Sequence, residues 1–213
     1  MNFVEYLPRL GAGLFVSLQL TVISVVCGYI IGLLFALGSS STRRWIRWPA
    51  ITVVEIGRGI PALVVLYMVY FGLPAFGLLL ENFAAAAAAL TFTVAAYSSE
   101  MIRGGIMSVD RGQYEAAQAL GLGATTRFLR IILPQGLRSS IPALMGLAIM
   151  SFQGTSLAYS ISVNELMSQA YQVSTITFEY LAVYGITGLI YAAIAVPATW
   201  LSVLVERKLS QGT

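Results

Sequence analysis

Residues 115–134, EAAQALGLGATTRFLRIILP, are too polar to cross a bilayer, yet apolar blocks flank them on both sides. A transmembrane helix needs about 20 mainly apolar residues, so this segment is expected in water between two membrane spans. Glu115, Ala116, Ala117, Gln118, Ala119 and Leu120 are mostly strong helix formers, and Gly121 and Gly123 supply the permissive backbone that ends such a helix. Residues 127–133 read as a second short helix, which Pro134 closes or kinks. The expected shape is a helix, a tight turn and a helix, presented to water as a docking element.

The rest of the chain supplies the membrane. Of its 213 residues, 58% are apolar and only 10% charged, where an average soluble domain is about a quarter charged. An all-α integral membrane protein with one domain, residues 1–213, is expected. Five transmembrane helices are read over residues 13–37, 60–80 (interrupted by Pro74), 84–102, 141–160 and 184–205. The first is too long for a signal peptide and has no basic leader or cleavage pattern, so it is expected to be retained. Of the 12 basic residues, Arg9 alone falls on one side. Arg43, Arg44, Arg47, Arg58, Arg103, Arg111, Arg127, Arg130, Arg138, Arg207 and Lys208 fall on the other. The positive-inside bias then places the N-terminus, Glu165 and Glu179 outside, and the docking segment and C-terminus in the cytoplasm.

Composition also excludes. One Cys and no His remove a disulfide framework, an ordinary zinc site and histidine acid–base chemistry. Cys27, in an apolar run, reads as a small core residue. The net charge of +3 is scattered among loops, so membrane lipid is an expected neighbour and nucleic acid is not. The alanine run 84–89 reads as close helix packing, and Ser17, Gln19, Thr21 and Ser24 as groups bonding back to their own helix or across to a neighbour. No internal repeat suggests an inverted-repeat carrier. No G-x-x-x-x-G-K-[ST] loop is present, so ATP is not split by this chain in the P-loop manner. Five spans cannot comfortably enclose a solute path, and a dimer is expected.

Polar side chains within the fourth span mark a candidate path. In an α-helix Ser151, Thr155 and Tyr159 recur at i, i+4, i+8, and Gln153, Ser156 and Ser160 at i, i+3, i+7. Such groups face protein or a watery path and not lipid; solute contact and helix-to-helix hydrogen bonding both remain open. Gly154 is placed to loosen this helix. Glu100 and Arg103 are spaced for an intrahelical pair, with a gate as the alternative for Glu100. Arg58 either snorkels or anchors a lipid or a neighbouring loop.

Glu115, Ala116, Ala117, Gly121, Ile131, Leu133 and Pro134 fill, without a gap, a pattern that resembles the EAA loop of ABC importer permeases, here residues 112–136. The resemblance extends through Thr21, Arg58-Gly59 with Pro61, residues 70–74, Ala96-Tyr97 with Glu100, residues 103–106, Gly112-Gln113, Gln135 and residues 155–157, and narrows to the polar amino acid uptake group. It implies the type I importer permease fold in a bacterial inner membrane. It also implies Glu115, Ala116, Ala117, Gly121, Leu122, Gly123, Leu133 and Pro134 as ATPase-coupling residues. The candidate path, read from the polar pattern itself, comprises Glu100, Ser151, Gln153, Thr155, Ser156 and Tyr159. The implied partners are an identical or related second permease, two cytoplasmic ATPases that carry the ATP and Mg, and an extracytoplasmic binding protein. Catalytic and metal residues are expected to be absent from this chain. The group usually has Lys-Asp where this chain has Gln153-Gly154, which points to a less charged or zwitterionic solute, or to charges supplied by the second permease. The alternative function is a passive channel or ion-coupled carrier.

Overall fold

The computed structural model describes residues 6–210; the first five and last three residues of the expected domain lie outside the described residues. Every described element is helical. Helix α1 (Leu7–Ser39) buries Leu10, Gly13, Ser17, Leu20, Ser24, Gly28, Gly32, Ala36 and Ser39. They recur every three or four positions, so one narrow stripe of mostly small side chains faces the bundle. Against it lies α4 (Asn82–Met107), which contributes Ala85, Ala86, Ala87 and Ala89 to the core while Ala84 and Ala88 stay outside. The approach is close: a Cβ on Gly28 would stand 2.6 Å from Val94, and one on Gly32 would collide with the Ser98 hydroxyl. Ser98 donates instead to the Gly28 and Ala95 carbonyls. Thr21 and Ser24 donate to their own helix at Ser17 and Leu20, as the sequence suggests.

Around α4 the other helices assemble. Its most apolar window is 61% buried, against 11% for α9 (Tyr180–Ser210), so α4 is the axis and α9 lies at the margin. Helix α7 (Leu133–Gly154) crosses α4 where Gly105, Gly136 and Ser140 meet. Cys27 does not join this core but lies exposed on the outer face of α1, because the inward stripe passes through Ser24 and Gly28 on either side of it.

Among the described residues, four helices are long and apolar enough to cross a membrane, and a fifth crossing is available as a bent pair. The expected second span, residues 60–80, is therefore revised. Helix α2 (Arg44–Gly59) and the segment Ala62–Phe76, which begins with α3 (Ala62–Tyr67), meet at 106°. Ile60 is extended, at φ −93° and ψ 131°, the conformation favoured before a proline. Glu55 and Arg58 hide α2 from a search for apolar runs, yet its Gly57 seats against Phe92 and Ala96 of α4.

Pro134 does not close a helix. Residues 124–161 run as one 38-residue helical segment, made of α6 (Ala124–Arg127), a π-helical turn (Phe128–Ile132), α7, and a 3-10 turn (Thr155–Ile161). A proline N–H is missing and its ring crowds the preceding turn; the wider π turn just before Pro134 accommodates both. The connection after it contains an unexpected helix, α8 (Leu166–Thr177), whose cap is Glu165.

The α4–α7 crossing yields a test. A Cβ on Gly136 would lie 2.6 Å from the Ile106 backbone, whereas one on Gly11 meets nothing within 4 Å. Gly136→Val is expected to lose ~1–3 kcal/mol of stability and Gly11→Ala almost none, measured by denaturation in mixed micelles.

Candidate functional site

The water-facing loop begins with α5 (Arg111–Ala119), capped by the Asp110 carboxylate, which accepts from Gly112 N at 2.6 Å. Gly121 ends it with φ +73°. The Gly121 N–H donates to Gln118 O at 2.9 Å and the Leu122 N–H to Ala117 O at 3.1 Å, a paired cap that satisfies the helix's last carbonyls and calls for a left-handed residue. Gly123 has an ordinary φ of −60°, so of the two glycines only Gly121 uses the freedom expected of both.

The faces of this loop are sharply divided. Ala117 is 2% exposed, and its small side chain lets α5 lie against its own chain. Leu133, Tyr114 and Phe128 pack with Ile132 against Ile102, Ile106 and Ala36, so Leu133 also faces inward. Gln135 bridges back to Gln113 at 3.2 Å. Glu115, Ala116, Gly121, Gly123 and Pro134 are exposed and Leu122 is half-buried. Leu120, 78% exposed at the tip, was not singled out by the sequence reading, although a leucine just before a helix-ending glycine marks the place.

The six expected path residues do not form one line. Glu100 accepts from Arg103 Nε at 2.9 Å and lies 3.8 Å from Arg58, which also reaches Glu55 at 3.4 Å. This ion-pair cluster joins α2 to α4, so Arg58 anchors a neighbouring helix. Beyond Gly154 the winding tightens to 3-10, and the stripes drawn for an α-helix lose their register. Thr155 is fully buried and donates to Phe152 O at 2.7 Å; Ser151 is buried, with an unpartnered hydroxyl. Tyr159 is half exposed on another surface, its ring 5.6 Å from Tyr171. Among these six only Gln153 and Ser156 line the cavity of about 300 Å³ formed with Met167, Tyr184, Thr187, Gly188 and Tyr191.

Behind that cavity stands Glu165, expected in an outer loop but fully buried. Its carboxylate caps α8 by accepting from Met167 N at 2.9 Å and Ser168 N at 2.8 Å. It also accepts from Ser17 Oγ and Tyr191 Oη, each at 3.2 Å. Burial pushes the Glu165 carboxyl above the usual carboxylate range, and the four hydrogen bonds pull the other way. Glu165, one of two acids in a segment without Lys or Arg, and Thr187 four residues before Tyr191 are the sequence signals that could have drawn attention to this corner. The cavity is at the small end of ligand pockets, lined mostly by apolar surface with a few hydroxyl and amide groups, and without a charged side chain on its wall.

Residues 28–211 match the family described as the binding-protein-dependent transport system inner membrane component. The arginine transport system permease protein ArtQ of Bacillus subtilis is 36% identical, with 97% of this chain and 94% of that protein covered. The L-cystine transport system permease protein TcyB of the same organism is 35% identical, over 97% and 89%. The octopine transport system permease protein OccM of Rhizobium meliloti is 35% identical, over 95% and 86%. The crystal structure of an amino acid ABC transporter with histidines superposes with a TM-score of 0.92 at 34% identity, covering 97% of this chain and 96% of that one. The inward-facing methionine transporter MetNI, at 20% identity and a TM-score of 0.82, shares the fold. With an all-helical bundle, a water-facing helix–turn–helix and a family match over most of its length, the chain belongs to the inner membrane components of binding-protein-dependent transport systems, the permease subunits of ABC importers.

Proposed function

We propose that this permease imports a small zwitterion, an amino acid or close relative, received from an extracytoplasmic binding protein and driven by two cytoplasmic ATPases. The observation that carries the energy-coupling part is the α5 tip. Leu120 and Gly121 project from a loop whose inward face, through Ala117, Phe128 and Ile132, is packed onto the bundle. An apolar tip on a braced base is suited to a groove in a partner. Hydrolysis of ATP with Mg belongs to that partner. A second permease, identical or related, completes the path.

The solute class is supported by the relatives named for arginine, L-cystine and octopine transport, solutes that each carry both a carboxylate and a cationic nitrogen, and by a cavity wall without a charged side chain. The orientation, N-terminus outside and C-terminus in the cytoplasm, is supported by the eleven cations gathered on the α5 side.

Replacing Gly121 with Val puts a β-branched residue at φ +73°, where it is strained by ~1–3 kcal/mol. ATPase co-purification or coupling is expected to fall while the bundle stays folded; normal uptake with normal ATPase stoichiometry would sink the docking assignment. A Cβ on Gly188 meets nothing within 4 Å, so Gly188→Leu fills the cavity without disturbing the fold. Uptake in reconstituted vesicles is expected to drop at least ~10-fold with assembly intact, and unchanged uptake would remove the cavity from the path. For orientation, in a Cys27→Ala background a reagent unable to cross the membrane is expected to modify a cysteine substituted for Asn164 and to spare one substituted for Gln118. The reverse pattern would invert the topology.

A further inference from the structure

We propose that the cavity bounded by the end of α7, the start of α8 and α9 receives the ammonium end of the transported solute. This rests on the importer reading above and adds which end of the solute this chain holds. The argument is the direction of the hydroxyl protons. Ser156 donates to Gln153 O at 2.8 Å, Thr187 to Val183 O at 2.8 Å and Tyr191 to Glu165 Oε2 at 3.2 Å. A hydroxyl has one proton and two lone pairs, so each of these wall groups has spent its proton on the protein and has only acceptor capacity left for the cavity. An ammonium, with N–H donors and no acceptor, is the complement. At these three groups a carboxylate would meet lone pairs; the other polar groups on the wall, the Gln153 amide and the Tyr184 hydroxyl, can serve either as donor or as acceptor.

Charge points the same way. Glu165 is fully buried, and its donors, Ser17, Tyr191 and the N–H groups of Met167 and Ser168, are all neutral. Two of those donor residues, Met167 and Tyr191, form part of the cavity wall. A buried carboxylate without a cationic partner is costly, and burial already disfavours its ionised form. A cation placed beyond Met167 and Tyr191 offsets that cost, so the field and the hydrogen-bonding pattern select the same group. Glu165 is a positioning residue here: it fixes the Tyr191 proton and sets the field, without touching the solute.

The test uses the complete permease–ATPase assembly in lipid vesicles, without binding protein, and pairs of probes that differ only in ammonium against hydroxyl. The pairs are alanine and lactate, phenylalanine and phenyllactate, glutamate and 2-hydroxyglutarate, and arginine and its 2-hydroxy analogue. In equilibrium binding, at least one amino acid is expected to bind, with its hydroxy acid at least ~10-fold weaker. Thr187→Val, which keeps the shape and removes one acceptor, is expected to weaken the amino acid roughly 2- to 10-fold and to narrow the gap within the pair. Glu165→Gln is expected to narrow it further; should that variant not assemble, Thr187→Val and Tyr191→Phe carry the test. Equal affinity within the pairs, binding of no amino acid, or variants that weaken both members equally would overturn the proposal. The importer reading fails separately, by loss of ATPase co-purification from the wild-type chain.

Discussion

Helices in lipid gain nothing from hiding apolar side chains from one another, since the surrounding acyl chains are equally apolar; they gain from contact and from hydrogen bonds. The close seat of α1 on α4 supplies both. Gly28 and Gly32 remove the side chains that would hold the backbones apart, and the space is used by Val94 and by Ser98, whose hydroxyl reaches the Gly28 carbonyl. Once α1 and α4 are fixed, α4 offers its remaining faces to Gly57 of α2 and Gly136 of α7. The same device of missing Cβ atoms is thus repeated around one axis. Everything near the cavity is positioned through this stack, because α1 also carries Ser17 to Glu165.

What was legible in the sequence was local. Glu115 to Leu120 favour a helix and Gly121 a left-handed stop, and both hold because their causes lie within one turn of chain. The Glu100–Arg103 pair needed only a spacing of three. Apolar length found four of the crossings, but α2 escaped it, since Glu55 and Arg58 are tolerated through ion pairing with each other and with Glu100. That compensation is tertiary. Thr155 and Tyr159 were placed on one stripe by assuming 3.6 residues per turn, and the 3-10 winding of Thr155–Ile161 moves them apart. Ala117 belongs to the motif, yet it is buried, which the motif spacing alone does not reveal. Glu165 was the largest surprise, because a carboxylate in a connection between spans is ordinarily assigned to water.

The departure at Gln153-Gly154 from the Lys-Asp of similar permeases acquires a context in this arrangement. With Gln153-Gly154 at the end of α7 the wall itself carries no charge, and Glu165 stands behind it, held by four donors. The winding tightens from α to 3-10 just after Gly154, whose own angles are ordinary for a helix, and Gln153 and Ser156 line the cavity with residues of α8 and α9.

The unbroken helical run of residues 124–161 joins the base of the docking loop to the wall of the cavity. At ~1.5 Å per residue its 38 residues span roughly 55 Å, so the two ends are linked by a rod with no loop between them to absorb movement. A push on α6 is therefore delivered as a tilt about the Gly105–Gly136 contact, a natural fulcrum because backbones touch there without intervening side chains. The π turn at Phe128–Ile132 lies on the short arm, and the cavity on the long one. Gln153 lies farther along the rod from that contact than α6 does, so any one angle of tilt displaces Gln153 more than α6, in the way a rocker arm trades force for travel.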